Sequence, residues 1–148
     1  MAIYHLHVGI ISRKSGRSSV AAAAYRAGEK IRNEHDGTMH DYSRKTGVVY
    51  SEILLPKNAP PEFEDRAILW NTVEKSEKRC DARTAREVEI ALPKDFDLQE
   101  NIELVREYVK ENFVSAGMCA DFAIHNNGDS NPHAHILLTT RHVDGAGG

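Results

Sequence analysis

Cysteine is nearly absent from this chain: 148 residues contain two, Cys80 and Cys119. They form neither a CxxC pair nor a disulfide framework, which excludes a disulfide-stapled scaffold. Cys119 opens an apolar run and reads as a small buried hydrophobe, whereas Cys80 lies in a polar stretch and reads as an exposed thiol of no special role. No apolar run is long enough to span a bilayer, and the first residues lack a signal-peptide pattern. A membrane partner is therefore not expected, and cytoplasmic residence is the default. Internal repeats and low-complexity segments are also missing. So is the excess of positive charge that marks many nucleic-acid binders, because the formal net charge is −3.

An apolar content of 41% and a charged content of 28% are those of a globular domain. The length suits one domain, residues 1–148, with a proper core. Charge is unevenly spread: residues 1–50 carry +4 and residues 51–148 carry −7. This asymmetry allows a locally basic surface on an acidic domain. The last residues, Asp144 to Gly148, read as a loop with no closing element, so the domain is expected to be truncated at its C-terminal end.

The most informative segment is Asn131 to Leu138, NPHAHILL. His133 and His135 stand two apart in a β-prone run, so both imidazoles project from one face of a strand. The pattern suits two metal ligands, or equally two solvated or hydrogen-bonded histidines. His125 ends the preceding apolar run, and residues 126–132 read as a turn. A hairpin closed around that turn sets His125 opposite His133, with His135 one same-face step away. Three histidines then converge, and a three-ligand set leaves metal coordination open for water or substrate.

Periodicity places the remaining elements. Residues 3–11 alternate as a strand. Residues 13–19 form a basic loop, with Ser18 or Ser19 as N-cap, and residues 20–31 form a helix by propensity. Residues 38–43 and 47–55 read as a hairpin with Arg44 and Lys45 near its turn. A second helix covers about 62–79, with Trp70 as a core anchor. Residues 84–92 form a strand, and Asp97 opens a third helix that reaches about residue 113. A final hairpin joins 119–125 to 133–142. This order predicts an α+β domain, a largely antiparallel sheet with helices packed on it.

Two further features point to chemistry. Tyr25 follows four alanines on the first helix, so little side-chain bulk stands beside it; a tyrosine there is ordinarily an amphipathic packing residue. The helix N-terminus, preceded by Arg13, Lys14 and Arg17, is a ready anion site. Glu87 and Glu89 alternate on one strand face, which reads as a solvated face or, beside a metal, as a ligand, a supporting group or a proton acceptor. Arg83 and Arg86 are candidates for phosphate contact or for surface ion pairs. His5 and His7 share a face and read as structural or supporting; His35, His40 and His142 read as surface residues.

These pieces in this order resemble mobilisation relaxases of the MobA/MobL type. The resemblance rests on the start MAIYHL, on Gly16 to Glu29 (GRSSVAAAAYRAGE), on DYSRK at 41–45, on YSEILLP at 50–56, on AREVEIALP at 85–93 and on NPHAH at 131–135. It implies a relaxase fold of the His-hydrophobe-His class: a central antiparallel five-stranded sheet flanked by helices, with the tyrosine helix over the metal face. It implies an enzyme that nicks one strand of DNA through a 5′-phosphotyrosyl intermediate and can rejoin ends. Tyr25 would be the nucleophile, Glu87 the acidic residue beside it, and His125, His133 and His135 the ligands of a divalent metal (Mn, Mg, Zn, Co or Ni). Glu89 and His7 are the supporting candidates, and Arg13, Lys14, Arg17, Arg26 and Arg86 the candidate DNA contacts. The implied partners are single-stranded DNA at an origin of transfer, beside a hairpin, and other relaxosome proteins. The alternatives are a rolling-circle replication initiator of the same chemical class, a non-catalytic metal-stabilised DNA-binding domain, and a metal-dependent hydrolase that uses water.

Overall fold

A computed structural model describes residues 6–77, 82–126, 128 and 131–140. His5, Cys80, His142 and the segment from Asp144 to Gly148 lie outside the described residues.

The main sheet has five antiparallel strands in the order β1-β5-β7-β6-β4. These are β1 (Leu6–Ser12), β4 (Val48–Leu54), β5 (Arg83–Ala91), β6 (Ala120–His125) and β7 (His133–Leu138). Both faces of its centre are covered, so period-two alternation sorts side chains between two cores. Val88, Ile90, Phe122, Ile124 and Ile136 point to one face and pack on α3 (Leu98–Asn112). Ile11, Ala85 and Leu137 point to the other and meet α1 (Ser19–Ala27) and α2 (Arg66–Ser76). Trp70 is fully buried there and donates its indole N–H to Asp121 at 2.9 Å.

Three sequence expectations require correction. The first helix stops at Ala27, short of residue 31. Gly28 adopts φ 68° and its N–H caps the Ala24 carbonyl; a side chain there would meet both the left-handed backbone penalty and Val48 Cγ2, 3.4 Å from an added Cβ. The chain is thereby released into β2 (Lys30–Arg32), which pairs with β3 (Met39–Asp41). Residues 38–43 therefore make a hairpin with the segment before them, closed by a turn in which Asn33 N–H donates to the Thr38 carbonyl and Gly37 takes φ 76°. Residues 47–55 pair instead with β6, Glu52 opposite Phe122. The helix expected over 62–79 is divided. Pro61–Glu64 forms a 3₁₀ turn, and Asp65 is extended and caps α2 by accepting from Ile68 N–H at 3.1 Å.

β7 ends at Leu138, short of the expected residue 142, whereas the bounds of β5, β6 and α3 match expectation closely. α3 opens with a reciprocal capping box between Asp97 and Glu100. Cys119 is fully buried, and burial pushes its thiol up to about 12.

Candidate active site

The β6–β7 hairpin holds His125 directly opposite His133, and His135 opposite Ala123. On its other side β7 meets β5, with Glu89 opposite His135 and Glu87 opposite Leu137. β1 extends the same rows, His7 opposite Glu89 and Gly9 opposite Glu87. His7, Glu89, His135 and Ala123 thus form one row across four strands, and His133 and His125 stand in the next. All belong to the sheet face on which α1 packs.

The His125 and His135 rings are stacked at a tilt, with centroids 4.3 Å apart. His125 Nε2 lies 2.7 Å from the Arg26 carbonyl. A carbonyl can only accept, so Nε2 carries the hydrogen and the lone pair is on Nδ1. His135 Nδ1 is 3.5 Å from Glu89 Oε1. Burial, with the charges of Lys45 and Arg26, holds His125 below the ordinary histidine range. Burial pushes His135 down to about 3, with Arg26, His125, Lys45 and His133 adding to the effect. Both imidazoles are therefore neutral at pH 7, the form that ligates metals. His133 is half-buried in the next row. Among the described residues no group of three or more His, Cys, Asp or Glu side chains is closed tightly enough to form a ready metal cage. The donor chemistry fits a divalent metal: two neutral imidazoles on one face, one with a ring nitrogen held by a carbonyl and the other with a ring nitrogen near a carboxylate.

Tyr25 sits on α1 and is 43% exposed. Its ring meets Tyr42 edge-on at 5.2 Å, and Lys45 Nζ lies 3.5 Å above the ring centroid. Lys45 also donates to the Tyr25 carbonyl at 3.0 Å. Burial, and then Arg26, lowers the Lys45 pKa. The last turn of α1 is tied to the sheet through Arg26, whose guanidinium pairs with Glu87 Oε1 at 2.6 Å. Arg17 pairs with Glu87 Oε2 at 3.1 Å. Burial raises the Glu87 pKa, but the two arginines outweigh it and hold the carboxyl below its ordinary value.

Two clefts meet at this pair. One of about 150 Å³ is lined by His7, Glu89 and His135, the other of about 390 Å³ by Tyr25, Ser18 and His40, and Arg26 and Glu87 line both. A path therefore runs from the tyrosine to the histidines along a wall that carries two arginines.

Two of the candidate DNA contacts lie elsewhere. Arg13 turns inward and pairs with Glu74 Oε1 at 2.8 Å, with the two side chains 10% and 1% exposed. Its task is to neutralise a buried carboxylate that also accepts from Ser19 N–H and Oγ. Arg86 alternates with Glu87, so it points to the opposite sheet face, alongside Ile10 and Leu138. Lys14 is exposed on the 3₁₀ turn before α1. Sequence reasoning missed Lys45, Tyr42 and His40 as neighbours of Tyr25. His40 is half-buried, with Nε2 buried and without a hydrogen-bond partner, in the wall of the tyrosine cleft. The β2–β3 hairpin brings His40 there, and its pairing was not read from the sequence.

Comparison with known proteins identifies the family. The MobA/MobL family matches residues 17–148. A probable mobilization protein MobA of Bifidobacterium longum is 41% identical over 145 residues, 97% of this chain and 26% of that protein. Mobilization protein MobL of Acidithiobacillus ferridurans is 39% identical over 168 residues, 97% of this chain and 44% of that protein. The chain thus spans between about a quarter and a half of these relatives' length. A solved structure described as the molecular basis of vancomycin resistance transfer in Staphylococcus aureus superposes with TM-score 0.92 at 40% identity, covering 99% of this chain and 74% of that one. On the match to residues 17–148, this chain belongs to the MobA/MobL family.

Proposed function

We propose that this domain is the nicking module of a conjugative or mobilisation relaxase, acting on single-stranded DNA at an origin of transfer. The observation that carries the reading is the pair of adjoining, arginine-walled clefts that lead from Tyr25 to His135, whose ring lies against His125. A phosphodiester lying along it meets a nucleophile at one end and metal-ready imidazoles at the other.

The Tyr25 oxygen attacks the scissile phosphorus. A bond forms between that oxygen and phosphorus, the bond from phosphorus to the 3′ oxygen breaks, and the strand leaves as a 3′-hydroxyl after taking a proton. The 5′ end remains attached as a phosphotyrosine, and reversal rejoins the strand. Glu87 is ionised and accepts hydrogen bonds, and it takes up the phenolic proton once phosphate draws Arg17 and Arg26 away. Those two arginines hold the phosphate against α1. His125, His133 and His135 would hold a divalent metal, with Glu89 orienting His135 and His7 beside it. When bound, such a metal supplies positive charge to neutralise the phosphate oxygens in the transition state. A hairpin next to the nick and further relaxosome proteins are the partners this reading expects.

The test is a denaturing gel with labelled single-stranded origin oligonucleotides and Mn²⁺ or Mg²⁺. A protein-linked band that vanishes with EDTA and in Tyr25→Phe is the expected result. Cleavage without a protein-linked band would overturn the reading in favour of a hydrolase.

A further inference from the structure

A third cleft, of about 200 Å³, opens on the sheet face covered by α3. Val49, Phe96 and Leu98 line it and are 43%, 37% and 44% exposed. Asn101, on the first turn of α3, forms its floor and is 4% exposed. The Asn101 Oδ1 atom is buried and has no hydrogen-bond partner. A buried acceptor left unpaired is costly, and a donor on a ligand in the cleft would satisfy it. The rim carries Lys94. The Asp97 and Glu100 N–H groups at the start of α3 are taken by their reciprocal capping box, and Lys94 is the cationic side chain in the lining.

Position in the fold links the cleft to the histidines. Its walls include Ile124 and Pro132, the residues that immediately precede His125 and His133. The Leu92 N–H to Pro132 carbonyl bond of 2.9 Å and the Asn126 N–H to Gly47 carbonyl bond of 2.8 Å fix those walls. Successive strand residues are about 3.3 Å apart and face opposite ways. The cleft and the histidine face thus lie on opposite sides of the same end of the sheet.

We infer that this cleft seats one unstacked base of the single strand whose backbone crosses the histidine face, an inference that rests on the nicking reading. Phe96 supplies the stacking surface, Val49 and Leu98 the apolar sides, and Lys94 a phosphate contact. Asn101 Oδ1 accepts from an exocyclic amine, which favours adenine or cytosine over thymine. Turning the strand around the sheet end bends it at the scissile phosphate and sets its register against Tyr25.

The test is fluorescence anisotropy with labelled oligodeoxyadenylate and oligothymidylate of equal length, at two salt concentrations, with melting curves for every variant. Wild type is expected to prefer oligodeoxyadenylate. Phe96→Ala, at a partly exposed position, is expected to weaken its binding roughly 5- to 150-fold. Lys94→Ala is expected to weaken both oligonucleotides alike and to reduce the salt dependence. Asn101→Ala is expected to erase the base preference. Folded Phe96→Ala and Lys94→Ala proteins that bind as wild type, while wild type still forms the protein–DNA adduct, would overturn the base seat alone. Failure of wild type to bind either oligonucleotide would overturn the base seat, and failure to form the protein–DNA adduct with origin oligonucleotides would overturn the nicking reading on which it rests.

Discussion

His125 donates its Nε2 hydrogen to the main-chain carbonyl of Arg26, 2.7 Å away and ninety-nine residues earlier in the chain. This bond docks the helix that carries Tyr25 onto the hairpin that carries the histidines. It also fixes the tautomer of His125, leaving Nδ1 with a lone pair.

One bond with two tasks can be separated by substitution. His125→Gln keeps an N–H donor within reach of the Arg26 carbonyl but removes the imidazole. Its stability is expected to stay within about 1 kcal/mol of wild type, whereas His125→Ala loses about 1–3 kcal/mol by leaving the carbonyl unpaired. Both are expected to lose at least roughly tenfold in metal affinity. Urea unfolding and metal-dependent melting measure the two effects.

Glu89 tests the metal proposal from outside the histidine set. Its carboxylate lies 3.5 Å from His135 Nδ1. Glu89→Gln is expected to weaken Mn²⁺ or Ni²⁺ binding roughly 10- to 100-fold without unfolding the protein, as measured by titration calorimetry. Unchanged affinity would remove Glu89 from the site.

The pH dependence of stability follows from Glu87. Its carboxyl is held below the ordinary carboxylate value in the folded protein by Arg26 and Arg17. The unfolded chain therefore takes up a proton first as the pH falls. Stability from this cluster is present above the unfolded value, near 4.3, and is lost as the pH drops through the lower folded one. Glu87→Gln is expected to be less stable than wild type at pH 7 and to converge with it at acid pH. Denaturant midpoints across that range provide the check.

Glu74 should behave as a structural residue. It is 1% exposed and satisfies Arg13 and both donors of Ser19. Glu74→Ala leaves the nearly buried Arg13 charge without its carboxylate and is expected to cost about 3–5 kcal/mol. Metal affinity per folded molecule should not change. A selective loss of DNA binding with stability intact would return Arg13 to the DNA surface.

The histidine hairpin was legible because two signals coincide there: a period-two alternation and a polar turn of Asn, Asp, Gly and Pro residues. Together they fix strand register, so His125 falls opposite His133. The end of α1 was not, because propensity favours helix through Ile31 while Gly28 stops it by backbone conformation. That error concealed β2 and with it the hairpin that carries His40 towards Tyr25. The position of Arg86 was readable from parity, since it alternates with Glu87. The burial of Arg13 was not, because its partner Glu74 lies sixty-one residues away on another helix. Lys45 above the Tyr25 ring likewise depends on a tertiary contact with no local signal.

The most direct test of the central claim is mass spectrometry of the protease-digested reaction product. Wild-type protein would be incubated with a single-stranded origin oligonucleotide and Mn²⁺, then trimmed with nuclease. The account predicts a peptide containing Tyr25 that carries a 5′-linked nucleotide phosphate on the phenolic oxygen. A nucleotide on another residue, or a cleaved strand bearing a free 5′-phosphate with every tyrosine unmodified, would contradict it.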